Sequence, residues 1–351
     1  MNLVRNNRQR NALPCEAWLK ACIPGQVDRR CEVRVAVHAY CHIILDSVAQ
    51  TLLSLSRAEP RMKICLTCGQ RHDRPDWSCP SCGGTPARCQ GFISFAPNAR
   101  SKPSGTYDHE ILGDLTAAEG RGHFWFRSRV RLLAWALQCY FPRARSFLEI
   151  GCGTGFVLLG FRRLFPDLRL AGGEISYEGL IVAAERVPEA VLFQMDARTI
   201  PFENEFDVVG AFDVLEHVEE DDAILRQMYQ ATKPGGGIII TVPQHRWFWT
   251  SWDIRSGHRR RYARDQMVQK MKNAGFRVVR TTSFATFLLP LMLLARMLEW
   301  IGLCDATMEL KAVPRLNTCL EQILGLEHLL ICAGMSLPAG ASLLVIGRKT
   351  G

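Results

Sequence analysis

Seven short apolar runs recur along the chain, at residues 146–150, 168–172, 191–195, 206–211, 238–242, 275–279 and 342–346. Most are near-continuous in Val, Ile, Leu or Phe, the pattern of strands buried on both faces rather than of half-exposed hairpins. Longer stretches with apolar residues at helical spacing separate them. One such helix runs through Leu132, Leu133, Ala136, Leu137 and Tyr140, and Pro142 stops it just before the first strand. Strands alternating with helices predict an α/β fold, a doubly wound, seven-stranded sheet with helices on both faces.

Residues 284–303 depart from this alternation, being apolar almost all round apart from Arg296 and Glu299. As a helix they would reach roughly 30 Å, enough to cross a bilayer. Both charges are costly in hydrocarbon, and the last strand must return to the same sheet, so a transmembrane reading fails. Two readings remain: a helix covering a substrate pocket, or one that dips into a membrane interface. Leu316, Leu320, Ile323, Leu324 and Leu330 extend the helical pattern, giving an insertion over about 284–335 ahead of the last strand.

Residues 1–61 fit poorly with the rest. Cys15, Cys22, Cys31 and Cys41 are irregularly spaced, and a helix over about 37–55 is expected from Tyr40, Ile43, Ile44, Val48, Leu52 and Leu55. This segment is expected to be poorly ordered. It reads either as upstream sequence ahead of a natural start at Met62 or as a helical extension. Residues 90–122 are rich in Gly, Pro and Ser and read as a linker, leaving 123–351 as the main domain.

The first strand runs into Glu149-Ile-Gly151-Cys-Gly153-Thr-Gly155-Phe156. Glycine at every second position lets the backbone turn sharply and admit a ligand where a Cβ would obstruct it. A dinucleotide fingerprint would need a further glycine where Phe156 stands. The next strand delivers Glu174, about 20 residues on, placed as a carboxylate that accepts from ribose hydroxyls would be. The spacing resembles the first motif of class I S-adenosylmethionine-dependent methyltransferases, and the resemblance covers residues 125–282 and the final strand. In its core the chain is similar to ubiquinone-biosynthesis O-methyltransferases. The resemblance implies a Rossmann-like methyltransferase sheet and S-adenosylmethionine as cofactor. It implies that Gly151, Gly153 and Gly155 cradle the methionine half and that Glu149 holds the amino group. Glu174 would take the ribose, Asp196 and Ala197 the adenine edge, and Phe212 would complete the cofactor site.

Past the fourth strand stands Asp213-x-x-Glu216-His217. On a helix these positions share a face and would converge. His217 could then serve as a general base, or the trio could hold a divalent metal completed by His245 or His258. The plainer reading is a helix start with His217 capping or packing. The loops 243–249 and 257–262, rich in Trp and Arg, follow the fifth strand and are placed to line an acceptor site.

Cys65-x2-Cys68 and Cys79-x2-Cys82, each followed by a glycine, form two hooks that can close a tetrahedral zinc site, predicting a zinc ribbon over 62–89. Four thiolates leave no open position, so this zinc would be structural. Fourteen cysteines without a visible secretory signal point to a cytoplasmic, reducing setting. A net charge of +9 suggests an anionic partner, nucleic acid or a membrane surface. The expected function is therefore methyl transfer, by preference to an oxygen of a small-molecule or lipid-like acceptor, with peripheral membrane contact. The rivals are an RNA methyltransferase that docks through its ribbon and a cofactor-binding regulatory protein without catalysis.

Overall fold

The computed structural model describes residues 62–96, 109–301 and 314–350. The expectations for residues 1–61 lie outside this range. The hairpin β1 (Lys63–Ile64) and β2 (Arg71–His72) precedes β3 (Ala87–Cys89) and β4 (Phe92–Ser94), then α1 (His109–Gly120) and α2 (Phe124–Tyr140). The alternating region follows as β5 (Ser146–Ile150), α3 (Phe156–Leu164), β6 (Arg169–Glu174), α4 (Tyr177–Arg186), β7 (Val191–Gln194) and β8 (Phe206–Phe212). A 3₁₀ turn at Leu215–His217 leads to α5 (Asp221–Ala231) and β9 (Thr232–Pro243). After a second 3₁₀ turn (Arg246–Phe248) come α6 (Ser251–Arg255), α7 (Arg264–Asn273) and β10 (Phe276–Phe284). The insertion is α8 (Leu289–Trp300) and α9 (Pro314–Cys332), and β11 (Ser342–Lys349) ends the fold.

All seven predicted strands lie in one sheet, but that sheet has nine strands, in the order β10-β11-β9-β8-β5-β6-β7-β4-β3. Of the two additions, β3 falls within the expected ribbon segment 62–89, and β4, together with helix α1, corrects the expected linker at 90–122. Residues 92–94 pair in parallel with β7, which would otherwise be an open edge, and β3 folds back antiparallel on them. Short strands with little apolar periodicity carry no sequence signal until an edge is there to receive them. β5 to β9 run parallel and β11 is antiparallel to both its neighbours. β5 is buried at all five positions. From β5 the chain winds outward to β6 and β7, then returns to the other side as β8. A crevice opens at the strand ends where the winding reverses.

The cysteine module is stitched to this sheet. Ile64 N–H donates to the Pro201 carbonyl at 3.0 Å, and Met62 N–H to Glu205 Oε2 at 3.1 Å. Trp77 is 5% exposed and meets the rings of Phe95, Phe193 and Phe202. In the insertion, α9 packs on α2 through Leu320, Leu324 and Ile331, with Glu321 paired to Arg127 and Arg131. α8 leaves Leu291, Leu294 and Met297 exposed. Among the described residues no helix is long and apolar enough to cross a membrane.

Candidate active site

A cavity of about 620 Å³ lies at the switch point, lined by the glycine turn, the ends of β6, β7 and β8, and helices α1, α2 and α8. Its cofactor end starts from the turn after β5. Gly151, Gly153 and Gly155 have φ of 67°, 50° and 72°, a region closed to most side chains. A Cβ on Gly151 would come 2.6 Å from Val214, and one on Gly155 would come 3.0 Å from the Cβ of Ala183. At Gly153 it would meet nothing within 4 Å, so only there does the turn open onto free space.

Glu149 lies beneath the turn, 3% exposed, and its Oε2 has no hydrogen-bond partner. Burial pushes its carboxyl well above the usual range, against the pull of Arg129. Glu174 is treated differently. Gly153 N–H donates to Oε2 at 2.9 Å, and Ile175 and Ser176 N–H donate to Oε1 at 2.8 and 2.9 Å. Burial still raises its pKa, but these donors oppose it. Asp196 and Ala197 line the cavity at the end of β7, with the Asp196 carboxylate gripped by Arg198 at 3.0 and 2.6 Å. Phe212, at the end of β8, closes this wall. Thr154, inside the turn, donates to Glu119 of α1 at 2.7 Å, and Arg186 pairs with the same carboxylate at 2.6 Å. That latch holds α1 against the turn.

The other end departs from the predicted helical face. Only a single 3₁₀ turn forms, and Asp213 stands before it with φ of 57°. Asp213 therefore does not converge with Glu216 and His217. It pairs with Arg129 of α2 and accepts from Thr241 Oγ1 at 3.2 Å. His258 takes its place: ligand atoms of Glu216, His217 and His258 lie within 4.8 Å of one another. Glu216 is fully buried and neither carboxylate oxygen has a hydrogen-bond partner. Burial, and then the charge of Asp213, push its pKa well above the ordinary value. His217 is 4% exposed, and burial followed by the charge of His258 brings its pKa down to about 3. His258 Nδ1–H donates to Asp253 Oδ1 at 2.6 Å, and Nε2 stands 3.9 Å from Glu216 Oε1. Asp253 is also the N3 residue of a capping box with Thr250 and is forked by Arg261 at 2.9 Å. His245, the other histidine considered for this site, stacks on Trp247 instead.

Residues 117–281 match the family model of a methyltransferase domain. The chain is 32% identical over 124 residues to the dTDP-3-amino-3,4,6-trideoxy-alpha-D-glucopyranose N,N-dimethyltransferase of Streptomyces venezuelae, covering 32% of this chain and 50% of that one. It is 27% identical over 110 residues to the norajmaline N-methyltransferase of Rauvolfia serpentina, covering 30% and 38%. Among solved structures, the Haemonchus contortus phosphoethanolamine N-methyltransferase 2 bound to phosphomonomethylethanolamine and S-adenosylhomocysteine aligns with 22% identity and a TM-score of 0.44, over 63% of this chain and 52% of that one. Over residues 117–281 the chain is therefore similar to methyltransferase domains. It spans about half the length, or less, of these curated relatives.

Within the matched residues 117–281, Arg129 and Asp253 are the site residues that sequence reasoning did not single out. Thr250-x-x-Asp253 carries a local signal, a capping box, but nothing that joins it to His258 and Glu216. Outside the cavity, the sulfurs of Cys65, Cys68, Cys79 and Cys82 also lie within 4.8 Å of one another. The two hooks fold alike: Gly69 N–H bonds the Cys65 carbonyl at 2.8 Å and Gly83 N–H the Cys79 carbonyl at 2.9 Å. Both glycines have positive φ, 75° and 70°. Burial works against the Cys65 thiolate, but backbone N–H groups of Cys68 and Thr67 outweigh it and hold its pKa at about 6. Cys68 is pushed the other way, up to about 12: the Gln70 backbone would lower it, but the sulfurs of Cys79 and Cys82 outweigh that.

Proposed function

We propose that this chain transfers the methyl group of S-adenosylmethionine to an oxygen of a small-molecule or lipid-like acceptor, with a structural zinc in the cysteine module. The cofactor reading is supported by a buried, partly unbonded Glu149 suited to an ammonium and by the open face at Gly153. Glu174 would meet the ribose, and Asp196, Ala197 and Phe212 the adenine side. The observation that carries the oxygen acceptor is Glu216, fully buried in the lining of the same cavity with neither oxygen hydrogen-bonded. An alkylated hydroxyl must shed a proton, and the Glu216–His217–His258 cluster lining the cavity would supply that help.

The acceptor hydroxyl would give up its proton toward the Glu216–His217–His258 cluster; S-adenosylmethionine, when bound, would supply the methyl group, its carbon–sulfur bond breaking as the new carbon–oxygen bond forms. Glu216, His217 and His258 are the residues that would hold a divalent cation, with Asp253 fixing the tautomer of His258. Such an ion, when bound, supplies a positive charge that favours loss of the acceptor proton. Asp213 would act by positioning Arg129. The apolar wall formed by Leu288, Leu291 and Met292 suits an aliphatic or aromatic body, and the half-exposed Leu291 and Leu294 at its rim favour acceptors presented at a membrane surface.

Incubation of the full chain with methyl-labelled S-adenosylmethionine and lipid or small-molecule extracts, followed by mass spectrometry, tests the reading. Label should appear as a methyl ether or ester. Label on nitrogen alone would overturn the oxygen acceptor, and no binding of S-adenosylmethionine would overturn the whole reading. Elemental analysis should find about one zinc per chain, and mild chelation should leave cofactor affinity intact.

A further inference from the structure

Four arginines line the cavity: Arg129, Arg198, Arg261 and Arg296. Three are neutralised by aspartates, Arg129 by Asp213, Arg198 by Asp196 and Arg261 by Asp253. Arg296 is not: no acid among the described residues pairs with it. Its Nη1 is buried without a hydrogen-bond partner. The guanidinium carbon sits 5.9 Å from the ring centre of Phe248, whose ring Arg261 also approaches, at 5.1 Å.

The position makes this costly. The preceding residues of α8, Leu289-Pro-Leu-Met-Leu-Leu-Ala295, carry no charge, and Leu288, Leu291, Met292 and Ala295 form the apolar wall beside it. A lysine or arginine on such a helix ordinarily carries its head out to water. Here one nitrogen is held where water does not reach and no protein acceptor meets it, a penalty that persists unless a ligand supplies the acceptor.

We propose that Arg296 is the recognition point for an anionic group, a carboxylate or phosphate, on an acceptor whose apolar body lies along α8. This rests on the methyltransferase reading and narrows its acceptor to an anionic amphiphile. The planar fork of the guanidinium matches two oxygens of either anion. Phe248 holds the fork by its face, leaving the edge that carries Nη1 for the anion. Arg261 does not compete, because both its Nε and its Nη2 are committed to Asp253.

Calorimetry on the full chain with S-adenosylhomocysteine present tests this with octyl phosphate, octanoate, 1-octanol and inorganic phosphate, the amphiphiles kept below aggregation. Octyl phosphate or octanoate should bind at least about tenfold more tightly than 1-octanol, the scale of one charge-assisted pair. Arg296→Met, similar in volume and at home in an apolar helix, should erase that preference while leaving the affinities for 1-octanol and S-adenosylhomocysteine unchanged. Arg296→Lys should keep part of it. An equal affinity of the wild type for the charged and neutral probes would overturn the proposal, as would a preference that survives in Arg296→Met. Weakened S-adenosylhomocysteine binding in Arg296→Met would overturn it by assigning the guanidinium to the cofactor's carboxylate. Inorganic phosphate binding as tightly as octyl phosphate would overturn the amphiphile in favour of free phosphate. Failure of the wild type to bind S-adenosylhomocysteine would sink the methyltransferase reading instead, and the comparison of octyl probes would still report on Arg296.

Discussion

Glu174, at the end of β6, and Glu216, in the 3₁₀ turn after β8, line one cavity, and the protein has dealt with them in opposite ways. Glu174 receives three backbone N–H groups, one from the glycine turn and two from the start of the next helix segment. Glu216 is fully buried and receives none. At the cofactor end Glu174 is thus satisfied before any ligand arrives and only one oxygen of Glu149 stays bare, whereas the acceptor end carries the unmet demands of both Glu216 oxygens and of Arg296. A carboxylate bonded by backbone is part of the scaffold; one left bare in the interior costs stability and keeps its bonding capacity for a partner.

The largest expected effect comes from damaging the cofactor end. Gly153→Val puts a branched side chain at φ of 50° on the one face of the turn that opens to free space. S-adenosylmethionine affinity by calorimetry should fall by about 100-fold or more, since strain and steric exclusion act together. Near-wild-type affinity in this variant would mean that the turn is not the cradle.

The rim of the acceptor end should matter next. Leu291→Glu/Leu294→Glu places two charges on half-exposed positions of α8. Flotation with anionic vesicles at low salt should show the wild type associating and this variant associating roughly tenfold less, by loss of apolar burial. A wild type that stays in the aqueous fraction would leave α8 as a pocket wall alone.

Neutralising each carboxylate sharpens the contrast by sign. Glu216→Gln should stabilise the metal-free protein at neutral pH by about 1–2 kcal/mol, because it removes the cost of burying Glu216, as a charge or with a retained proton. Glu174→Ala should destabilise by a similar amount, about 1–2 kcal/mol, by stranding N–H groups. Denaturant melts showing the same sign for both would break the comparison.

A smaller, pH-dependent difference follows. The folded state holds the Glu216 proton above the unfolded value of 4.5. Its contribution to stability is therefore fully present below about pH 4.5 and is lost as pH rises through the raised folded value. Comparing melts at successive pH values, the excess of Glu216→Gln over wild type should grow from near pH 4.5 upward. An excess that does not change with pH would remove ionisation as its cause.

How far each end could be read in advance follows from how its residues are joined. Glu149 to Gly155 occupy consecutive positions, and Glu174 ends the strand that pairs with β5. Their geometry follows from local turn chemistry and strand register, so the pattern of the residues is nearly the pattern in space. The cysteine hooks are legible for the same reason, each being closed by its own glycine within five residues. The expectation that Asp213, Glu216 and His217 would converge assumed a helix. The chain forms a single 3₁₀ turn because Asp213 is drawn back to Arg129 and Thr241, contacts 84 and 28 residues away.

The sequence by itself determined the alternating fold, the glycine turn with its acids and the paired cysteine hooks, all encoded in periodicity and short-range steric rules. Only the tertiary structure decided that residues 92–94 close a sheet edge, that His258 replaces Asp213 beside Glu216, and that among the described residues Arg296 has no aspartate such as its neighbours have. Those outcomes depend on which distant groups reach one another and which remain dry, and burial of a polar atom is a property of the packed molecule, not of the residue that carries it.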